Sequence, residues 1–290
     1  MKKLVLLSLT VLFSCNGNDE KADGYGNFEA TEVTISAEAN GKIEFLNLEE
    51  GDLLTPKTPV GLIDTMQLYF AKQQLIASKN TVYSKSANVL SQRKVLQEQL
   101  KTTQIEKNRI HNMFEENAAT KRQVDEIDGR VNVLQEQMKS VETQNAPIIN
   151  EIESLNVQIQ KMNDQIQKSK IINPIKGTVL VKYAEPNEVT SFGKPLYKIA
   201  DISEMTLRVY ISERQLASVK IGQKVNVKID SSKDSKSYSG VISWIAAEAE
   251  FTPKIVQTKE ERVNLVYAVK VLVKNDGSLK IGMPGELWLK

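Results

Sequence analysis

The chain has 290 residues, 38 Lys and Arg against 36 Asp and Glu, one histidine (His111) and one cysteine (Cys15). The net charge of +2 provides no global field for nucleic acid, and a lone cysteine excludes an internal disulfide or a thiolate metal cluster. Ser-His or Cys-His nucleophile pairs have no set of residues to draw on, and no glycine-rich phosphate cradle occurs, so neither catalysis nor a cofactor is expected.

Lys2 and Lys3 precede an apolar run, Leu4–Phe13, of ten residues, too short for a spanning helix of ~20. The run ends in Leu12-Phe13-Ser14-Cys15, which resembles a bacterial lipobox. Cleavage before Cys15 would leave its thiol to carry diacylglycerol, and several acyl chains, each adding about 0.8 kcal/mol per buried methylene, hold a protein to a bilayer. The signal is therefore expected over 1–15, followed by a polar, glycine-containing tether over 16–28.

An internal repeat follows. Residues 33–63 align without gaps on residues 169–199 at an offset of 136. Gly41 meets Gly177, Glu49 meets Glu185, Pro59 meets Pro195 and Ile63 meets Ile199, while Ile43 faces Val179 and Leu53 faces Val189. Each copy shows short β-type runs punctuated by Gly and Pro, and neither is large enough to bury an apolar face alone. Two halves packed together, over 29–64 and 170–202, would close one core in the pattern of a biotinyl/lipoyl-like sandwich. The joint that would carry a modified lysine in such a carrier is replaced by about a hundred other residues, so the domain reads as structural.

Those residues, 65–169, have one glycine (Gly129) and one proline (Pro147). Val124, Val131, Met138, Asn145, Ile152, Ile159 and Ile166 recur every seven residues, with Ile127, Leu134, Val141, Ile148, Leu155, Met162 and Ser169 as the companion row. Such a register predicts a coiled coil. The outgoing arm repeats Leu68, Leu75, Val82, Val89, Leu96, Thr103 and Ile110, with Tyr69, Ile76, Tyr83 and Leu90 beside them. Arms over 65–116 and 121–169 give two helices of ~75 Å at ~1.5 Å per residue. The turn falls at 116–121: Asn117 can take a left-handed C′ position, and Thr120 can cap the second arm with Gln123 completing a capping box. Pro147 predicts a kink and not an end, because the heptad stays in phase across it. Asn145 either fixes the register or is an incidental polar residue beside that kink. A rod of this length with no pocket can serve as spacer, lever or docking element.

Beyond the second half, Met205–Ile211, Val225–Ile229 and Leu265–Val273 alternate as strands do, Ser212–Val219 can form a short capped helix with Gln215 at the capping-box position, and Ile281–Lys290 reads as a closing strand. A β-barrel is expected over 203–290. The fold class is thus mixed α+β and elongated, with an antiparallel helical hairpin inserted in a split lipoyl-like domain and followed by a barrel.

The order of lipid anchor, half-sandwich, hairpin, half-sandwich and barrel resembles the HlyD family of periplasmic adaptors, or membrane fusion proteins, across nearly the whole mature chain. Adaptors that dock an outer-membrane channel carry Arg, Leu four residues on and Ser seven further at the hairpin tip; Arg109, Met113 and Thr120 stand at that spacing, two of them conservative replacements. Arg109 can offer a fork of donors to facing carbonyls, and Met113 an adaptable apolar knob. Read without the resemblance, Arg109 is a solvated charge, Met113 is seam packing and Thr120 is a cap. Phe251–Arg262 resembles a loop of adaptors paired with ABC exporters, with Phe251, Thr252, Pro253, Lys254, Thr258, Lys259 and Arg262 as the transporter-facing candidates; an ordinary exposed loop is the alternative.

The resemblance implies a lipid anchor in the inner membrane, a periplasmic location, an inner-membrane transporter and an outer-membrane channel as partners, and a six-fold ring of copies lining a conduit. An ABC transporter is favoured because no fourth domain follows the closing strand. The rivals are an adaptor for a proton-driven resistance-nodulation pump and a coiled-coil envelope scaffold that transports nothing.

Overall fold

The computed structural model describes residues 21–229, 236–251 and 265–289. The lipobox with Cys15 lies outside them, as do Thr252, Pro253, Lys254, Thr258, Lys259 and Arg262. The chain forms two compact units, one of residues up to Val33 with Lys176–Thr178 and the chain from Ile199, the other of Thr34–Ile175 and Val179–Lys198.

The repeat folds as two matching halves, most of whose residues lie in the second unit. The first half supplies β2 (Glu32–Ser36), β3 (Gly41–Leu46), β4 (Leu53–Leu54) and β5 (Pro59–Ile63); the second supplies β6 (Lys170–Ile172), β7 (Gly177–Lys182), β8 (Val189–Thr190) and β9 (Pro195–Ala200). They interleave into sheets β2-β9-β7-β4 and β6-β5-β3-β8, and exchanging the halves turns one order into the other. The hydrogen bonds obey the same exchange. Gly51 N–H donates to the Val179 carbonyl (2.9 Å) as Asn187 does to Ile43 (2.8 Å), and Lys57 donates to Asn173 (2.7 Å) as Gly193 does to Ala37 (2.8 Å). Even the left-handed turn residues correspond, Gly51 (φ 97°) with Asn187 (φ 72°) and Lys57 (φ 65°) with Gly193 (φ 82°), positions where glycine and asparagine are least strained. In this unit Ile43, Val60, Ile63, Val179 and Leu196 are buried, none more than 1% exposed.

The same two-fold brings Glu49 and Glu185 to one cation. Lys182 Nζ lies 3.0 Å from Glu49 and 2.8 Å from Glu185, with only 7% of its side chain exposed. Glu185 first, and then Glu49, hold this ammonium protonated above the usual lysine range.

Between β5 and β6 stand α1 (Met66–Glu115), α2 (Lys121–Thr143) and α3 (Asn145–Lys168), with α2 and α3 both packed on α1. All fourteen seam residues of the return arm are buried or half-buried. The helix breaks at Gln144, whose backbone stays right-handed (φ −71°, ψ −21°); Pro147 lacks the N–H that would bond Thr143, so the interruption is local and the arm continues as expected. Asn145 has a partner across the seam, accepting from Ser86 Oγ at 2.9 Å. One expectation fails. Tyr69, Tyr83 and Leu90 are 49%, 51% and 49% exposed, and the companion row of α1 is instead Lys72, Lys79, Ser86, Leu100 and Lys107, all at least half-buried, interrupted by the exposed Arg93. Their stems line the seam while their polar ends reach water or the return arm.

The other unit is a closed barrel. Strand β10 (Glu204–Ser212) leads through α4 (Glu213–Leu216) to β11 (Lys224–Ile229), β12 (Lys236–Ile245), β13 (Glu250–Phe251), β14 (Leu265–Lys274) and β15 (Pro284–Trp288). The capping box at Ser212 and Gln215 forms as the sequence indicates. Part of the expected tether is itself structural: Gly24–Glu29 forms β1 and pairs antiparallel with both β10 and β15. The ring of pairings β10-β1-β15-β11-β12-β14 closes through β14 and β10, which removes open edges. Phe28, Leu207, Val227, Val271 and Leu287 point inward at 0% exposure. Gly26 is obligatory there, since a Cβ would stand 1.7 Å from the Arg208 carbonyl oxygen.

Candidate functional site

The hairpin tip is built by two caps. After Glu115 the chain turns through Glu116 and the left-handed Asn117 (φ 56°). Asn117 N–H donates to Phe114 O at 3.0 Å and Ala118 N–H to Met113 O at 2.7 Å, the paired bonds of a Schellman ending that satisfy otherwise orphaned carbonyls. Thr120 then starts α2. Its N–H donates to Gln123 Oε1 at 2.8 Å, and its Oγ1 accepts from Gln123 N–H at 3.4 Å. The tip is therefore a corner whose backbone groups are capped internally, with the Thr120 hydroxyl and the Gln123 side chain engaged in the cap.

Arg109 and Met113 sit one turn apart on the same face of α1. Arg109 is exposed and makes no ion pair among the described residues. Met113 is 40% exposed and falls outside the sevenfold row that holds the half-buried Ile110. Thr120 is exposed beside the turn while serving as its cap. Phe114, 40% exposed next to Met113, enlarges the apolar surface of the tip, and the sequence pattern did not single it out.

Immediately below the tip the arms are clasped. His111 Nε2 and Lys107 Nζ converge on Asp128 Oδ1 at 3.0 and 3.1 Å. The hydrogen bond from His111 first, and that from Lys107, hold the Asp128 carboxyl below its ordinary range. His111 reads from sequence as a solvated helix residue; its partner is 17 positions away and becomes adjacent only when the hairpin closes.

At the barrel, the candidate transporter-facing loop begins at Phe251, whose backbone pairs with Leu265 at the end of β13. Beside it Arg208 on β10 donates to both oxygens of Glu250 at 3.1 Å, fixing the strand from which the loop departs. Among the described residues, no helix is long and apolar enough to cross a membrane.

No family model matches the chain. A UPF0194 membrane protein of Yersinia enterocolitica, YE2891, is 35% identical over 120 residues, covering 41% of this chain and 36% of that protein. The chain thus matches about a third of the length of such curated relatives. Among solved structures, MacA from Actinobacillus actinomycetemcomitans superposes with a TM-score of 0.55 at 20% identity, over 91% of this chain and 76% of that one. A MacA-MexA chimera containing the Pseudomonas aeruginosa MexA α-hairpin gives 0.53 at 20% identity, over 92% and 80%. The resemblance to HlyD-type adaptors read from the residues extends to the architecture: this chain has the adaptor fold, a helical hairpin carried by β-domains.

Proposed function

We propose that this chain is a non-enzymatic periplasmic adaptor of a tripartite export system, joining an inner-membrane transporter to an outer-membrane channel and lining the passage between them. The observation that carries the reading is the tip. A coiled-coil rod much longer than its own core requires ends in a doubly capped corner that presents Arg109, Met113 and Thr120 to solvent. A facing helical hairpin would supply carbonyl groups for the Arg109 fork and an apolar groove for Met113 and Phe114. In this reading diacylglycerol on Cys15 holds the protein to the inner membrane, and copies assemble in a ring, six by the family's pattern. The loop at Phe251–Arg262 faces the transporter, and its resemblance to loops of ABC-linked adaptors favours that class. Transport energy and substrate choice then reside in the transporter, while this chain supplies geometry.

In-cell photocrosslinking from Met113, Thr120 and the barrel residue Tyr267 tests the proposal. Adducts of the tip with an outer-membrane channel and of the barrel with an ABC permease are expected. Capture of a large proton-driven pump by Tyr267 would replace the ABC assignment. Tip adducts confined to copies of this chain or to peptidoglycan-associated proteins, at native expression, would remove the export function and leave a scaffold.

A further inference from the structure

The wall of the barrel has two distinct ends. The chain enters it at Asp23, at the end where β1, β11 and β14 begin and β10, β12 and β15 finish. Tyr25 stands there opposite Tyr210 and Glu286, Asn226 opposite Trp288, and Ser212 opposite Val266. The links to the other unit, from β1 after Glu29 and into β10 before Glu204, both lie at the far end. Phe28, Leu207, Val209 and Val271 fill the interior. The alternating Tyr25, Tyr210, Trp244 and Trp288 therefore point outward, all in the half nearer the entry.

Every wall strand contributes to this collar. Tyr210 stands on β10, Tyr25 on β1, Trp288 on β15 and Trp244 on β12. Strands β11 and β14 supply Lys228 and Lys270, whose ammonium groups lie 3.8 Å from the Trp288 ring centroid and 5.3 Å from that of Trp244. The Arg208 guanidinium lies 5.8 Å from the Tyr210 centroid. Outward positions of the other half include Glu29, Glu204, Thr206, Ser237, Leu272 and Lys274, with no aromatic among the described residues; Tyr238 there packs on the core. At the entry rim a pinned turn holds an aliphatic side chain in the open. Gly222 (φ 86°) donates to the Ile242 carbonyl at 2.8 Å, Ile242 to that of Gln223 at 3.0 Å, and Lys220 N–H to Gln223 Oε1 at 3.0 Å. Ile221 is left 67% exposed beside exposed Lys220 and Lys224. Of the acids at this end, Glu250 is held by Arg208, and Glu286 accepts from Trp288 Nε1 at 3.2 Å. Glu213 and Glu248 are exposed, against exposed Arg214, Lys220 and Lys224.

Tyr and Trp join an apolar ring to a polar tip and gather where hydrocarbon meets water. Lys and Arg extend their charge from the same depth to lipid phosphates. A collar that runs round every wall strand matches a flat surface met end-on, whereas a protein seated on the wall would cover one side of it. Eight residues separate Cys15 from Gly24, a reach of roughly 30 Å when fully extended, so an acylated Cys15 brings this end of the barrel to the bilayer. We propose that the collar seats the entry end of the barrel in the headgroup layer of the anchoring membrane, with the Ile221 turn deepest. The proposal rests on the Cys15 anchor of the adaptor reading and adds a second attachment, which fixes the barrel on the membrane where a tether alone would let it swing.

The test uses the full chain, acylated on Cys15 and reconstituted in vesicles of phosphatidylethanolamine and phosphatidylglycerol. Trp288→Phe leaves Trp244 as its single indole. Flotation of the vesicles reports the anchor, and Trp244 fluorescence reports the seat. Quenching of Trp244 by lipids brominated near the headgroup is expected, with protection from aqueous iodide. Ile221→Glu combined with Lys220→Glu should abolish both effects while leaving flotation and circular dichroism unchanged. A chain that floats with Trp244 open to iodide and untouched by bromolipid would overturn the seat and keep the anchor, as would full bromolipid quenching in the double variant. Shielding of Trp244 in native membranes but not in pure lipid would overturn it in favour of a protein partner. A chain that does not float would remove anchor and seat together.

Discussion

At the residue scale, the most informative positions are those where the two-fold of the sandwich is broken. Asn173 and Tyr197 correspond in the repeat to Ala37 and Gly61. Tyr197 is fully buried and its hydroxyl donates to Asn173 Oδ1 at 3.1 Å, while Asn173 Nδ2 donates to the Thr55 carbonyl at 2.8 Å. The mirror arrangement is forbidden by packing, because a Cβ on Gly61 would come within 2.8 Å of Ile171 and of the Phe45 carbonyl. Tyr197→Phe would leave the buried Asn173 oxygen without its donor, which costs about 1–3 kcal/mol; urea unfolding is expected to show that loss. Burial also pushes the Tyr197 phenol up to about 12. A raised folded-state value means that its contribution is complete below the ordinary tyrosine value of about 10 and is lost as pH rises through about 12. The phenylalanine variant should therefore lose part of the alkaline sensitivity of the parent, and an unchanged alkaline transition would show that Tyr197 does not govern it.

At the scale of the element, the hairpin shows why half of a coiled coil can be legible and half not. The return arm places aliphatic residues in both seam rows, so the sevenfold pattern is visible in the chain alone. In α1 one row is mostly aliphatic and the other is mostly Lys and Ser, and apolar periodicity points in its place to the row of Tyr69, Ile76, Tyr83 and Leu90, of which only Ile76 is half-buried. A lysine stem is as good a seam lining as an aliphatic chain if its ammonium finds a partner on the flank, and Asn156 and Asp128 supply those partners. The clasp at Asp128 gives this a pH dependence. Because its folded-state value is lowered, its contribution is complete above the ordinary aspartate value of about 3.9 and is lost as pH falls through the lower folded-state value. Asp128→Asn should lower the helical melting temperature at pH 7, and the gap from the parent should close as pH drops below about 4. Identical melting at pH 7 would mean that the clasp contributes nothing to the hairpin.

For the whole molecule, the barrel depends on a strand that composition assigns to a tether. Residues 24–29 are polar and glycine-rich, and only Phe28 advertises an inward side chain. Their place is set by what the rest of the barrel lacks, since without β1 the edges of β10 and β15 would be open to pairing with other chains. Gly26→Val puts a branched side chain where even a Cβ meets the Arg208 carbonyl at 1.7 Å. Forced strand separation of that kind costs about 1–3 kcal/mol or more. Urea unfolding followed through Trp244 and Trp288, both on barrel strands, is expected to show at least that loss; an unchanged midpoint would mean that β1 is dispensable.

The chain by itself determined what recurs along it. The offset of 136 fixed the two halves of the sandwich, the sevenfold rows fixed the rod, and the Asn117 and Thr120 chemistry fixed the turn, because each is a local or periodic requirement that one segment must satisfy alone. Only the tertiary structure decided which α1 row faces the return arm, that Met113 stays exposed, that His111 meets Asp128, and that the barrel borrows a strand from the far end of the chain. Those features depend on partners far away in sequence, and the free energy that selects them, burial of a shared core and pairing of an otherwise open edge, exists only once the distant segments have met.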